Sequence, residues 1–203
     1  MKTRHRAVTA AALAVAALSA FAGSELAAQD LHPSRRPSPL GMSRVTLGDT
    51  YVKVTYGQPY KRDRENIFGT KESGALVPFG EVWRTGANEA SEITVTKDVT
   101  IGGKKLAAGT YSLFTTPNAE SWKIHFNSKL GLSGTGIFED GKFTPVDLGP
   151  TEVLVVDAKV SAIPADKEEV DQFTISFEKN AGGADMVFRW IRTEVRVPVA
   201  AAK

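Results

Sequence analysis

What most restricts this chain is the spacing of its apolar residues, which recur at every second position in short runs. Ile93 and Val95 alternate with Thr94 and Thr96. Trp122, Ile124 and Phe126 alternate with Lys123, His125 and Asn127, and Phe173, Ile175 and Phe177 with Thr174, Ser176 and Glu178. A period of two puts one face of each run in a core and the other in water, the pattern of antiparallel strands. Further strands are expected at Arg44–Leu47, Val52–Tyr56, Val82–Arg84, Thr110–Thr115, Glu152–Val160 and Met186–Val197. Glu152–Asp157 reads as a central strand buried on both sides. The best helical attempt, Ala165–Asp171, amounts to a turn or so.

Turn chemistry agrees with the alternation. Gly102-Gly103 supplies the two positive-φ positions of a type I′ hairpin between Val99–Ile101 and Lys104–Leu106. Gly48-Asp49, Asp140-Gly141 and Gly182-Gly183 mark further reversals. Along the last run, apolar positions change parity: Met186, Phe188 and Trp190 are even, whereas Val195, Val197 and Val199 are odd. The change predicts a β-bulge between Ile191 and Glu194. About nine short strands in one domain specify an all-β fold. A single antiparallel β-sandwich is expected, with a flattened β-barrel as the alternative.

The N-terminus has a different design. Lys2, Arg4 and Arg6 precede the uncharged, alanine-rich run Ala7–Ala22, the layout of a secretory signal peptide. At 16 residues the run is shorter than the ~20 needed to span a membrane. Ala20 and Ala22 place cleavage after Ala22, so residues 1–22 are the expected signal. Residues 23–41 follow as a Pro/Ser/Arg-rich tether. The domain is expected over 42–199, and 200–203 as a frayed tail. Such a protein is exported, periplasmic or secreted, with no membrane attachment after cleavage. Loss of three of the 25 basic residues leaves 22 against 23 acidic ones. That near-neutral balance offers nucleic acid no general attraction.

Composition removes several chemistries. The chain has no cysteine, so thiol nucleophiles, disulfides and thiolate metal sites are excluded. Of three histidines, His5 lies in the signal and His32 in the tether, leaving His125. A multi-histidine metal site therefore does not arise, and no cofactor is implied. A Ser–His–Asp arrangement would need His125 as its base; His125 falls on the polar face of its strand, where a solvated surface is the simpler reading. No G-x-S-x-G elbow, P-loop or dinucleotide fingerprint is present.

One stretch departs from the strand pattern. Gly57–Gly80 runs 24 residues with little alternation, and connections of that length are usually functional or disordered. Its Ile67, Phe68, Leu76, Val77 and Phe79 favour packing against the domain, while Thr70–Gly74 is polar enough to protrude. Immediately afterwards Trp83, Arg84, Asn88 and Glu89 fall within seven residues. Trp83 offers a stacking face and Arg84 a bidentate fork for a carboxylate or phosphate, while Asn88 supplies the donors and acceptor that sugar hydroxyls require. With Arg64 these are the candidate ligand-binding residues. The architectural alternative pairs Arg84 with Glu89, makes Asn88 a turn cap and buries Trp83.

The same residues carry a resemblance. Gly57-x-Pro59, Arg64-x-x-Ile67-Phe68-Gly69 and Leu76-Val77-Pro78-Phe79-Gly80-x-Val82-Trp83-Arg84-Thr85-Gly86-Ala87-Asn88-Glu89-Ala90 resemble an exported bacterial family known as domain of unknown function 2911. Asp98–Phe114 and Trp122-Lys123-Ile124 are similar to it as well, so that most of Pro37–Pro198 is covered. Against that family, Thr70–Gly74 looks like an insertion, and Gln58 stands where relatives often carry a basic residue. The resemblance implies export and the fold, and supplies no reaction.

Three functions compete. A non-catalytic binding module would hold a carbohydrate or an anionic small molecule in a cleft between Gly57–Gly80 and Trp83–Glu89, and this reading is preferred. A glycosidase-like hydrolase would use Glu89, with Arg84 and Asp63 in support. A structural envelope module would show an extended apolar patch.

Overall fold

The computed structural model describes His32 and residues 35–202. The signal peptide expected over residues 1–22 lies outside the described residues. Contacts divide the chain between Pro37 and Ser38. Of the first unit, the described part is a turn in which Arg35 N–H donates to the His32 carbonyl at 2.7 Å.

From Ser38 onward the chain is built from strands. They are β1 (Leu40–Leu47), β2 (Thr50–Gly57), β3 (Phe68–Gly69), β4 (Val77–Pro78), β5 (Ser91–Val95), β6 (Val99–Ile101), β7 (Lys104–Leu106) and β8 (Gly109–Thr116). There follow β9 (Ser121–Asn127), β10 (Gly136–Glu139), β11 (Lys142–Pro145), β12 (Glu152–Ala162), β13 (Val170–Asn180), β14 (Gly183–Ile191) and β15 (Thr193–Ala201). From Ser38 to Ala202 the one helical element is the 3-10 turn Gly149–Thr151. At Ala165–Asp171 there is a turn, as expected, closed by Lys167 N–H on the Pro164 carbonyl.

The main path runs β1-β2-β5-β8-β9-β12-β15-β14-β13, antiparallel throughout. Its fold into two layers happens at β12. Residues 152–159 of that strand pair with β9, and Val160–Ala162 pair with β15. A strand that changes sheets in this way makes the corner of a sandwich. No ladder joins the ends β1 and β13, so the path does not close into a barrel. One bridge, Tyr60 to Gln172, ties the chain after β2 to the start of β13. Tyr56, buried on β2, donates its hydroxyl to the Ile175 carbonyl of β13 at 3.0 Å, and burial pushes its phenol pKa up.

The period of two works as expected because both layers bury the same face. Val52, Val54, Ile93, Leu113, Ile124 and Phe126 from one layer meet Phe173, Ile175, Met186, Phe188, Val195 and Val197 from the other in one core. The long stretch after β2 contributes to it: Ile67 and Val77 are buried and Phe68 packs against the core, while Thr70–Gly74 is exposed. The Gly102-Gly103 hairpin has φ of +56° and +81°, as a type I′ turn requires.

Several expectations need correction. Val82–Arg84 is no strand; Trp83 makes a single bridge to Thr115. There is no bulge between Ile191 and Glu194. Instead the chain reverses: Trp190 pairs with Thr193, Phe188 with Val195 and Met186 with Val197. A two-residue turn makes every even residue of β14 face an odd one of β15, which is the whole origin of the parity change. The expected tail is paired too, since Ala200 and Ala201 lie opposite Thr100 and Val99. Val153, placed in a doubly buried strand by its apolar neighbours, is half exposed.

Candidate functional site

The outer face of the first layer carries a cleft. Adjacent strand residues point to opposite sides, so with Leu113 in the main core Phe114 faces outward, into a separate apolar cluster with Ala90 and Leu132. Phe114 is paired with His125, and Ser112 with Asn127, which puts these four on the same outer face. The chain between β9 and β12 folds back over them, and Ile137, Val146 and Leu148 pack on the cluster. Between this cover and the sheet lies an open cleft of about 440 Å³. Phe114, Val82, Pro145, Val146 and Leu148 supply its apolar surface, and Glu81, His125, Asn127, Asp147 and Glu152 its polar groups.

The cover is held by a buried amide. Asn127 Nδ2 donates to the Leu148 carbonyl at 2.8 Å, and Asn127 Oδ1 accepts from Lys129 N–H at 2.9 Å. Ser128 N–H and Oγ both donate to the Thr151 carbonyl. Asp147 Oδ1 accepts from Gly149 N–H at 3.0 Å and fixes the turn at the rim.

His125 lines the cleft with a partner on each nitrogen. Nδ1 lies 2.5 Å from Glu152 Oε2, and Nε2 lies 3.0 Å from Thr116 Oγ1. The three side chains come from three neighbouring strands. Thr116 is two residues beyond Phe114 and so diagonal to His125. Glu152 reaches the outer face through an irregularity in β12. The register passes from Glu152–Asn127 to Leu154–Phe126, leaving Val153 as an extra residue. Strict alternation would put Glu152 on the inner side with Leu154; the bulge turns it out toward the imidazole.

The residues singled out from sequence stand elsewhere. Trp83 is packed among Phe68, Trp122, Phe173 and Trp190, and its indole N–H donates to the Gly86 carbonyl at 3.0 Å. Its stacking face is used by the core. Asn88, at φ +65°, donates Nδ2 to the Ser38 carbonyl at 3.0 Å. Arg64 donates Nη2 to the Tyr60 carbonyl. Arg84 lies against Gly134, where an added Cβ would come within 3.1 Å of Nη1, and Glu89 is exposed. None of the five lines the cleft; only Glu81 and Val82 bring the long stretch and its sequel to it. The cleft lies apart from the expected hollow between Gly57–Gly80 and Trp83–Glu89, where Ile67, Phe68 and Val77 go into the core. On its own strand His125 has the pattern of polar surface, and no local motif links it to Thr116 or Glu152.

The model of a family described as "Protein of unknown function (DUF2911)" matches residues 38–199. No curated protein and no solved structure matches the chain.

Proposed function

The chain belongs to the DUF2911 family, and within it we propose a ligand-binding role for this member: an exported β-sandwich that takes a hydroxyl-rich, carbohydrate-class ligand in the outer-face cleft. The observation that carries the reading is the cleft itself. Its volume falls in the range of small-molecule sites, and its surface mixes an apolar floor with a few converging polar groups. Of the two ligand classes expected from sequence, carbohydrate fits better. Glu81, Asp147 and Glu152 line the cleft and repel an anion, whereas carboxylates accept hydrogen bonds from sugar hydroxyls. Val82, Pro145 and Val146, the lining's exposed or half-buried apolar side chains, suit the apolar faces of sugar rings. Export is proposed from the basic start and the short apolar run of residues 1–22, and places the protein in the periplasm or outside the cell.

Titration of neutral maltohexaose, cellohexaose and chitohexaose, followed by methyl NMR signals of Val82 and Val146, tests the reading. Movement of both signals by one of the sugars, abolished in Val82→Arg, is the expected result. Val82 is 45% exposed, so the arginine blocks the mouth without disturbing the core. Signals that stay fixed in all three titrations reject the assignment.

A further inference from the structure

We propose that Thr116, His125 and Glu152 form a hydroxyl–imidazole–carboxylate relay, and that the cleft beside it hydrolyses esters. The geometry is that of an activated nucleophile: a hydroxyl at 3.0 Å from one imidazole nitrogen and a carboxylate at 2.5 Å from the other. A carboxylate cannot donate, so Nδ1 carries the proton shared with Glu152 and Nε2 is the acceptor facing Thr116 Oγ1. Exposure suits the task. The His125 side chain is 15% exposed and that of Glu152 37%, so the imidazole is held yet reachable from the cleft that both line. On the same face Lys123 and Asp157 neutralise each other across β9 and β12 at 3.3 Å, while the carboxylates Glu81 and Asp147 line the cleft with His125. The relay also accounts for the bulge at Val153, which gives up regular pairing and leaves an apolar side chain half exposed while it turns Glu152 toward His125.

In the reaction, Thr116 Oγ1 adds to the ester carbonyl carbon as its proton passes to His125 Nε2. Collapse of the adduct breaks the bond to the leaving alcohol, which takes the proton from Nε2 and leaves an O-acyl threonine. Water then adds to the acyl carbon and gives its proton to Nε2. The second collapse releases the carboxylic acid and returns the proton to Thr116. Glu152 touches none of the reacting atoms; it is a positioning residue that fixes the tautomer. Only the substrate class, an O-acylated hydroxylated compound, rests on the binding reading above.

The test uses p-nitrophenyl acetate, which is small enough to enter without sugar recognition. The folded chain should hydrolyse it and carry an acetyl group on Thr116 after rapid acid quench, located by peptide mass spectrometry. Thr116→Val, which keeps the shape, and His125→Ala should each slow hydrolysis at least about a hundredfold, while Thr116→Ser should keep the acetylated intermediate. Glu152→Gln presents an amide to Nδ1, so nitrogen NMR of His125 should show the proton moved to Nε2 together with lost activity. Equal rates in wild type and Thr116→Val, acetyl groups on lysines alone, or full activity in the heat-unfolded chain overturn the relay. Acetyl-Thr116 in a protein that binds no hexasaccharide separates the relay from the carbohydrate reading, which then fails by itself.

Discussion

Trp83 lies nearly parallel to Trp190, with ring centroids 6.0 Å apart and 13° between the planes. The pair sits in the middle of the aromatic core, with Phe68, Trp122 and Phe173 edge-on around Trp83. A residue so placed is a structural wedge from the long connection, which fixes that connection onto both layers. Trp83→Ala should therefore cost about 3 kcal/mol in denaturant unfolding. Trp83→Phe, which loses mainly the indole bond to Gly86, should cost about 1 kcal/mol. A Trp83→Ala protein as stable as wild type would return Trp83 to the role of a ligand platform.

Gly57 and Ala87 meet backbone to backbone. A Cβ built on Gly57 would stand 2.0 Å from the Ala87 carbonyl oxygen, and one on Gly86 2.6 Å from the Gly57 carbonyl oxygen. Neither neighbour is a side chain that can turn away. This contact gives Gly57 and Gly86 a physical purpose within the motifs they mark: they let the loop carrying Asn88 lie directly on the end of β2. Gly57→Ala should destabilise by about 3 kcal/mol, measured by thermal and urea unfolding. Gly103→Ala serves as the control. Its Cβ would meet nothing, leaving only the cost of the positive φ.

How much of this was legible in the sequence depends on what each residue faces. Strands such as Ser121–Asn127 were readable because one side is wholly in the core and the other is not, and the Gly102-Gly103 turn announces itself. The hairpin at Ile191-Arg192 was misread as a bulge because both devices change parity, and a β-branched residue at φ +50° lacks the glycine or asparagine signature of a tight turn. The actual bulge, at Val153, is hidden in an unbroken apolar run. The candidate residues stand apart from the cleft for a related reason. Trp83 and Asn88 bear chemistry that suits a ligand, but the fold uses both. The partners of His125 are 9 and 27 residues away and meet only through the register of three strands, which no local pattern records.

The cover of the cleft hangs on Asn127. Its side chain is buried and satisfies Leu148 and Lys129 at once. Asn127→Ala takes one donor from the Leu148 carbonyl, which keeps Thr151 N–H and Oγ1, and the acceptor from Lys129 N–H, a loss of about 1 kcal/mol. The loss should be local as well as global. Amide exchange at Lys129, Val146 and Gly149 should accelerate more than in the Ile93 and Ile124 strands. Uniform acceleration across the sheet would show that the cover and the sandwich open as one unit.

On the outer face of the second layer, Arg189 and Arg196 share carboxylates across three strands. Arg189 bonds Glu178 and Glu194, and Arg196 bonds Glu178, Glu194 and Asp185. Hydrogen bonds from Arg189 and Arg196 hold the Glu178 carboxyl below its ordinary value near 4.5. For Glu194, burial pushes upward, but Arg196 and Arg189 together outweigh it and the net direction is also down. Arg196, held above its ordinary value by the same carboxylates, stays charged throughout the acid range. Carboxyls depressed in the folded state bind protons more readily when unfolded, so their stabilisation is present above pH 4.5 and is lost as pH falls through the folded values. The groups are partly exposed and screened, so the total should be about 1 kcal/mol. Melting temperatures of wild type and the Glu178→Gln, Glu194→Gln double variant should differ at pH 7 and converge on acidification below pH 4.5. A constant gap across that range would mean that the strands are held there by packing and neutral hydrogen bonds, with the charges contributing nothing.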